Sequence, residues 1–426
     1  MGNAIRGLTC SFLFASGIVI ATGAPDAMRD ADLMFRAGKY VEAATAYEGL
    51  VSGQPACAEC WLRLGLSRFE IGKTKEAETA LRKHLDLEPS SAEGRTGLGR
   101  VLFEEARYPE AAKELEAAFK LDRTEVDALK TLVRIRLIEK DYEGALALLT
   151  PIAQSPAVDS EARMLSAYAL EKQGNLERAV RILERGIAIV TWGGDAPFAA
   201  AARARVKLGD YERAATICER GLDIEPNSER LDRIYLSLPI DLVAGKIKGR
   251  LSGTPDESRS VAERIFLGRL LTSIDERAIP SAREIAGRLL MEAAAREPAN
   301  ASAQFNAGRF LRLTGRLTES RATLQKALTL DPDESLRVVI YSQLAQAEAG
   351  LGAAAEAEKD FRASLDWNRR ASTQNPDAAL EYVSFLLRQS RETEAKQLLN
   401  VISRWDLGAV EEFLAVNQPA TKSLNP

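Results

Sequence analysis

A single histidine, His84, in 426 residues removes most of the chemistry that imidazole clusters carry. Paired-histidine zinc sites are excluded, and a Ser-His-Asp relay would have to run through this one ring. The chain has no Walker-type phosphate loop, no Gly-x-Ser-x-Gly elbow and no dinucleotide fingerprint after a strand. Glu104-Glu105 and Glu411-Glu412 are adjacent carboxylates, but neighbouring residues diverge on a helix, so they read as solvated faces rather than acid/base pairs. The expectation is a non-enzyme with no catalytic residue, no metal and no cofactor.

Basic charge is also short. A net charge of −4 and a pI near 5.6 argue against a nucleic-acid partner, which needs a basic footprint. Aromatics are only 6% of residues, while Ala, Leu, Arg and Glu dominate, as in a large helical protein. The most apolar stretch, Gly7–Ile20, is too short and glycine-interrupted for a comfortable membrane anchor. With one positive charge in Met1–Arg6 and small residues at Ala21-Thr22-Gly23, residues 1–23 read as a secretory signal peptide, cut after Gly23 or Ala21. The expected location is exported, periplasmic or secreted, with no membrane insertion after signal removal; an uncleaved N-terminal anchor is the alternative. Cys10 comes too early for lipoprotein acylation, and Arg6 stands where a myristoylation motif wants Ser or Thr.

What the chain has is a register. Gly38-Lys39-Tyr40 with Ala43 is followed at 34-residue intervals by Gly72 with Ala77, Ala106-Arg107-Tyr108 with Ala111, Lys140-Asp141-Tyr142 with Ala145, and Gly174 with Ala179. After one extra residue comes Gly209-Asp210-Tyr211 with Ala214. A period of this length marks stacked helix-turn-helix units. In the clearest unit, Ala58–Ser91, Trp61, Leu64 and Gly65 form a first-helix core, and Gly72, Ala77, Leu81 and Pro89 supply the turn, second helix and exit. Arg68 and His84 depart from the pattern, and the register puts His84 on a second helix facing its partner. Small residues sit where helices approach closely, and proline ends the second helix.

On these motifs the chain resembles the tetratricopeptide-repeat family. The resemblance implies an all-α, right-handed solenoid of stacked helical pairs that binds protein or peptide segments. Repeats are expected at 24–57, 58–91, 92–125, 126–159, 160–193, 195–228, 267–300, 301–334, 338–371 and 376–409. Ser281 and Ser390 replace the turn glycine in two of them. Over 229–266 the pattern fails, and Pro239, Gly245, Gly249, Gly253 and Pro255 are expected to interrupt any helix. The organisation is then a six-repeat array at 24–228, a degenerate repeat or hinge at 229–266, a second array of about four repeats at 267–409, and a capping helix end with tail at 410–426.

Cys57-Ala58-Glu59-Cys60 is the one chemically provocative motif. In an exported protein the two thiols can bridge or stay unpaired, and a helix N-terminus lowers the pKa of Cys60. A thiol-active or cytochrome-maturation accessory factor is therefore the alternative function. Against it, the frame is helix-loop-helix rather than strand-then-helix, and Trp61 follows Cys60 where haem attachment needs His. Cys218 is expected as a small buried hydrophobe.

The family places its binding surface on the concave face lined by first helices. Phe35, Phe69 and Phe103 fall at one register position there, followed by Leu137. Arg100, Arg134 and Arg203 fall at another, with Lys130 and Tyr168 nearby and Phe305, Arg309 and Arg312 farther along. Arginines in this arrangement suit a partner segment with acidic side chains. The competing expectation is a solvated face neutralised by Glu59, Glu70, Glu93, Glu104 and Asp127. The asparagines of a carboxylate clamp are missing from these positions.

Overall fold

The computed structural model describes residues 24–153, 160–189, 194–370 and 374–417. The signal-peptide reading of 1–23, with Cys10, lies outside them. The described residues form α-helices and one short 3-10 turn, with no strand. By compactness the chain divides into Met1–Ala128 and Leu129–Pro426.

The first unit holds α1 (Ala24–Arg36), α2 (Tyr40–Gly53), α3 (Ala58–Glu70), α4 (Thr74–Leu87), α5 (Ala92–Glu104) and α6 (Tyr108–Leu121), each helix packing on the next. The second holds most of α7 (Val126–Ile138), then α8 (Tyr142–Ala153), α9 (Ser160–Lys172), α10 (Leu176–Ile189), α11 (Ala196–Lys207), α12 (Tyr211–Ile224), α13 (Glu229–Leu236), α14 (Ile240–Gly253) and α15 (Val261–Ser273). It continues through α16 (Ala282–Arg296), α17 (Ala301–Leu313), α18 (Leu317–Thr329), α19 (Glu334–Gly350), α20 (Ala354–Arg370), α21 (Pro376–Arg388), α22 (Glu392–Trp405) and α23 (Leu407–Val416).

One device makes most of the hairpins. At the end of α3 the amide of Gly72 donates to the Phe69 carbonyl at 2.9 Å and that of Lys73 to Arg68 at 2.8 Å, a Schellman closure that requires a left-handed residue. Gly38, Gly174, Gly209, Gly315 and Gly352 adopt positive φ in the same way. So do Ala106, Lys140 and Ser390, at φ 57°, 61° and 58°, where the register wants glycine and the sequence lacks it. The register alanines Ala43, Ala77, Ala111, Ala145, Ala179 and Ala214 are all buried, because a larger side chain there would push the paired helices apart. First helices start on side-chain caps: Ser91, Ser228, Asn300, Asp333, Asn375 and Asp406 each accept the amide three residues on.

Two expectations change. Gly245 and Gly249 do not break the chain; both lie inside α14, on its exposed side, while Val243, Ala244 and Ile247 are buried. With Leu231, Ile234 and Tyr235 of α13 they join one hydrophobic cluster that includes residues of α11, α12, α15 and α16. The repeat placed at 267–300 begins earlier, since α15 starts at Val261, and Ser281, though left-handed at φ 56°, directly precedes α16 instead of closing the preceding helix.

Candidate functional site

Within the first unit the aromatic and arginine stripes interlock. Phe35 packs edge-on against Tyr40 with ring centroids 5.3 Å apart, and the Arg63 guanidinium lies 5.9 Å from the Phe35 centroid. One repeat on, Arg100 lies 4.7 Å from the Phe69 centroid and 3.5 Å from Glu70. Phe103 is buried beside Tyr108. Arg63 reaches Glu59 and Glu93 at 2.7 and 3.0 Å. These rings are therefore packing surfaces capped by cations.

In the second unit, first helices line a cleft of about 1200 Å³. One wall is Leu165, Tyr168, Lys172, Ala200, Arg203 and Lys207 on α9 and α11 together with Arg230 and Arg233 on α13; the other is Asp377, Leu380 and Glu381 on α21 and Leu407, Glu411, Glu412 and Phe413 on α23. The walls meet through ion pairs. Arg230 lies 3.3 Å from Asp377 and 3.8 Å from Asp406, and Arg233 lies 3.1 Å from Asp377. Burial opposes the charge on Arg230, but Asp195, Asp377 and Asp406 outweigh it and raise its pKa. Burial likewise opposes the Asp377 carboxylate, and Arg230 and Arg233 hold its pKa below the ordinary value. Nearer the rim, the Tyr168 hydroxyl donates to Glu411 at 3.1 Å, Lys172 donates to the same carboxylate at 2.5 Å, and Arg203 lies 3.9 Å from Glu412. Burial, then Glu411, pushes the Tyr168 phenol up.

The other expected site residues are also matched internally. Lys130 pairs with Glu161 at 3.1 Å, and Arg134 hydrogen-bonds the same carboxylate. Leu137 is buried. Arg309 lies 2.9 Å from Glu229, and Arg312 donates to Gln343 at 2.7 Å, with Gln343 donating in turn to Glu229. Burial pulls the Arg312 pKa down. Phe305 is 0% exposed, so it is a core residue and not part of an open face. Of the five carboxylates expected on this face, Glu70 pairs with Arg100 and Glu59 and Glu93 with Arg63; the other cations pair with Glu161, Glu229 and Glu412, which were not expected. Arg230 and Arg233 were missed because the register fails at α13, where the arginine pair at i, i+3 was their only signal; Asp377 lies on α21, inside the expected 376–409 repeat, and was not singled out.

Cys57 and Cys60 are bridged, with Cα atoms 5.3 Å apart, and the Cys57 sulfur accepts the Cys60 amide at 3.2 Å. Cys60 is buried against Met28. His84 is buried too: its Nδ1 lies 2.9 Å from the Ala58 carbonyl oxygen, and a Cβ added at Gly94 would meet the ring at 2.3 Å. Among the described residues no group of three His, Cys, Asp or Glu is placed to hold a metal ion.

Stacked helix pairs, most of them closed by a left-handed turn, define a solenoid of the protein-interaction class. Family models described as tetratricopeptide repeat match residues 29–92, 96–151 and 283–335, residues 136–190, and residues 198–228, together more than half of the chain. The chain belongs to the tetratricopeptide-repeat family. No curated protein matches it. Among solved structures it is similar to PilW, a widely conserved type IV pilus biogenesis factor, at 18% identity and TM-score 0.45, over 50% of this chain and 98% of that one. PilF of Pseudomonas aeruginosa matches at 16% identity and TM-score 0.43, over 50% and 96%. YrrB, a TPR protein with an unusual peptide-binding site, matches at 20% identity and TM-score 0.36, over 44% and 96%.

Proposed function

We propose that this protein is an exported, non-enzymatic scaffold of the cell envelope that holds a protein segment with acidic side chains in the cleft of its second unit. Family membership supports the coarse role, since tetratricopeptide repeats serve as protein-interaction scaffolds. The observation that carries the finer reading is the cleft itself, about 1200 Å³ with Leu165, Ala200 and Leu380 for apolar anchors and, at its rim, Lys172 and Arg203, whose partners Glu411 and Glu412 a partner's carboxylates would replace. The envelope setting rests on the signal-peptide reading of residues 1–23.

The test is affinity capture from an envelope extract with the mature protein and with an Arg134→Ala, Arg203→Ala variant. A partner held through the cleft is retained by the first and lost by the second, and its binding to the native protein weakens as salt rises. Capture of the same partners with unchanged affinity by both proteins overturns the reading.

A further inference from the structure

Helix α23 follows the last repeat and turns its acidic edge onto the face expected to bind a partner. The adjacent carboxylates Glu411 and Glu412 diverge by about 100° around a helix, and that divergence lets one helix address two repeats. Glu411 takes Tyr168 and Lys172 of α9, while Glu412 faces Arg203 of α11. The start of α23 lies against the Tyr168 ring, where a Cβ at Gly408 would make an ordinary contact at 3.7 Å. The contacts span more than two hundred residues of sequence, yet they use the same register positions, Tyr168 and Arg203, that first-helix geometry assigns to a ligand.

Beyond its cap Asp406, which lies 3.8 Å from the buried Arg230, the attachment of α23 is exposed. Of α23 only Ala409 and Val410 are buried, and Val416 is 76% exposed. The Lys172–Glu411 and Arg203–Glu412 side chains are 29%/43% and 29%/54% exposed, whereas the Arg230–Asp377 pair beneath them is 7%/14%. Exposed pairs are screened and hold little. Arg230 and Arg233 hold Asp377 of α21 without help from Glu411 or Glu412. Elements with few buried apolar contacts open first.

We propose that α23 is a tethered ligand of the α9–α11 face, and that the partner this face takes is a helical segment with two adjacent carboxylates followed by an aromatic, the pattern of Glu411-Glu412-Phe413. The inference rests on the reading of the cleft as a binding surface and specifies its occupant: the partner segment replaces α23.

The experiment uses the full mature chain and a fluorescent peptide with the sequence of residues 405–417. Glu411→Gln with Glu412→Gln weakens the tethered helix without adding positive side chains, and the peptide is expected to bind this variant at least about tenfold more tightly than the native protein. Adding Lys172→Gln and Arg203→Gln is expected to abolish the gain. Hydrogen exchange provides a second readout, with α23 amides exchanging faster than those of α21 in the native chain and faster again in the first variant. Equal peptide affinity for the native protein and the first variant overturns the proposal, as does binding that survives loss of Lys172 and Arg203, absence of binding to every variant, or α23 amides as protected as those of α21. A negative peptide result with cleft-dependent capture of an envelope partner removes the tethered ligand and leaves the scaffold role; the converse removes the proposed partner role and leaves the tethered helix.

Discussion

One carboxylate oxygen of Asp232 accepts both Nε and Nη2 of Arg269, at 2.9 and 2.6 Å, and both side chains are buried. The pair ties α13 to α15. Burial raises the Asp232 pKa and lowers that of Arg269, so each charge persists through its partner. Asp232→Ala leaves a buried guanidinium uncompensated and is expected to destabilise the second unit by about 3–5 kcal/mol. Asp232→Leu with Arg269→Met should recover most of that loss. Denaturant unfolding followed by circular dichroism checks both, and a cost within the error of the measurement for Asp232→Ala would show the pair to be dispensable.

The left-handed turns give a prediction with a sign opposite to most substitutions. Lys140 and Ser390 bear a Cβ at φ 61° and 58°, a conformation disfavoured by roughly 1–2 kcal/mol for a chiral residue. Lys140→Gly and Ser390→Gly are each expected to stabilise by about 0.5–1 kcal/mol after the extra freedom of the unfolded glycine is counted. Gly72→Ala should do the reverse. Melting temperatures of the three variants decide the matter.

A close helix crossing limits substitution at Gly65, where an added Cβ would lie 2.6 Å from Leu81 Cγ. Gly65→Val must displace Leu81, itself fully buried, and is expected to cost about 1–3 kcal/mol through overpacking. Gly38, whose Cβ would meet nothing within 4 Å but whose φ is +72°, should instead respond through backbone strain. The pair of variants separates crowding from conformation.

Stability should depend on pH through Glu348, a buried residue of α19 facing Asp360 of α20. Burial first, and Asp360 next, push its pKa from 4.5 up to about 7, with Arg321 opposing. The folded state therefore binds this proton more tightly than the unfolded chain. Its contribution is full below about 4.5, declines as pH rises towards 7, and is lost above that value. Asp360 shifts in the same direction, again chiefly through burial. Glu348→Gln is expected to flatten the profile and to gain about 1 kcal/mol over the native protein at pH 8, solvent screening limiting the effect. Urea midpoints at pH 5 and pH 8 that move in parallel for both proteins would exclude Glu348 as the source.

Much of this architecture was legible because packing repeats. The alanines at the helix crossings and the turns at Ala106 and Lys140 could be found from spacing alone, without glycine, since the register carries geometry that any residue must then satisfy. His84 was legible as a core residue for the same reason. The helix α14 was not. Gly245 and Gly249 each lower helix propensity by about 1 kcal/mol relative to alanine, yet they face solvent while Val243 and Ile247 bury the opposite side, and tertiary burial overrides the local preference. Of the cleft lining, the sequence singled out Arg134, Tyr168 and Arg203 but not Arg230, Arg233 or the carboxylate wall. Asp377, Glu411 and Glu412 reach Arg230, Tyr168 and Arg203 across a sequence separation that no periodicity encodes. Phe305 fits its register position and is nonetheless sealed, because α18 and α19 contribute Leu324, Ile340 and Leu344 over it.

Cys218 completes the inner face of α12, fully buried, and burial pushes its thiol up to about 12. A thiol that neither meets water nor ionises near neutrality reacts with alkylating reagents only when its surroundings part. With Cys57 and Cys60 bridged, alkylation of Cys218 becomes a stopwatch for the breathing of the helices around it, readable by the mass of the peptide that carries it, apart from Cys10, in the unmutated protein.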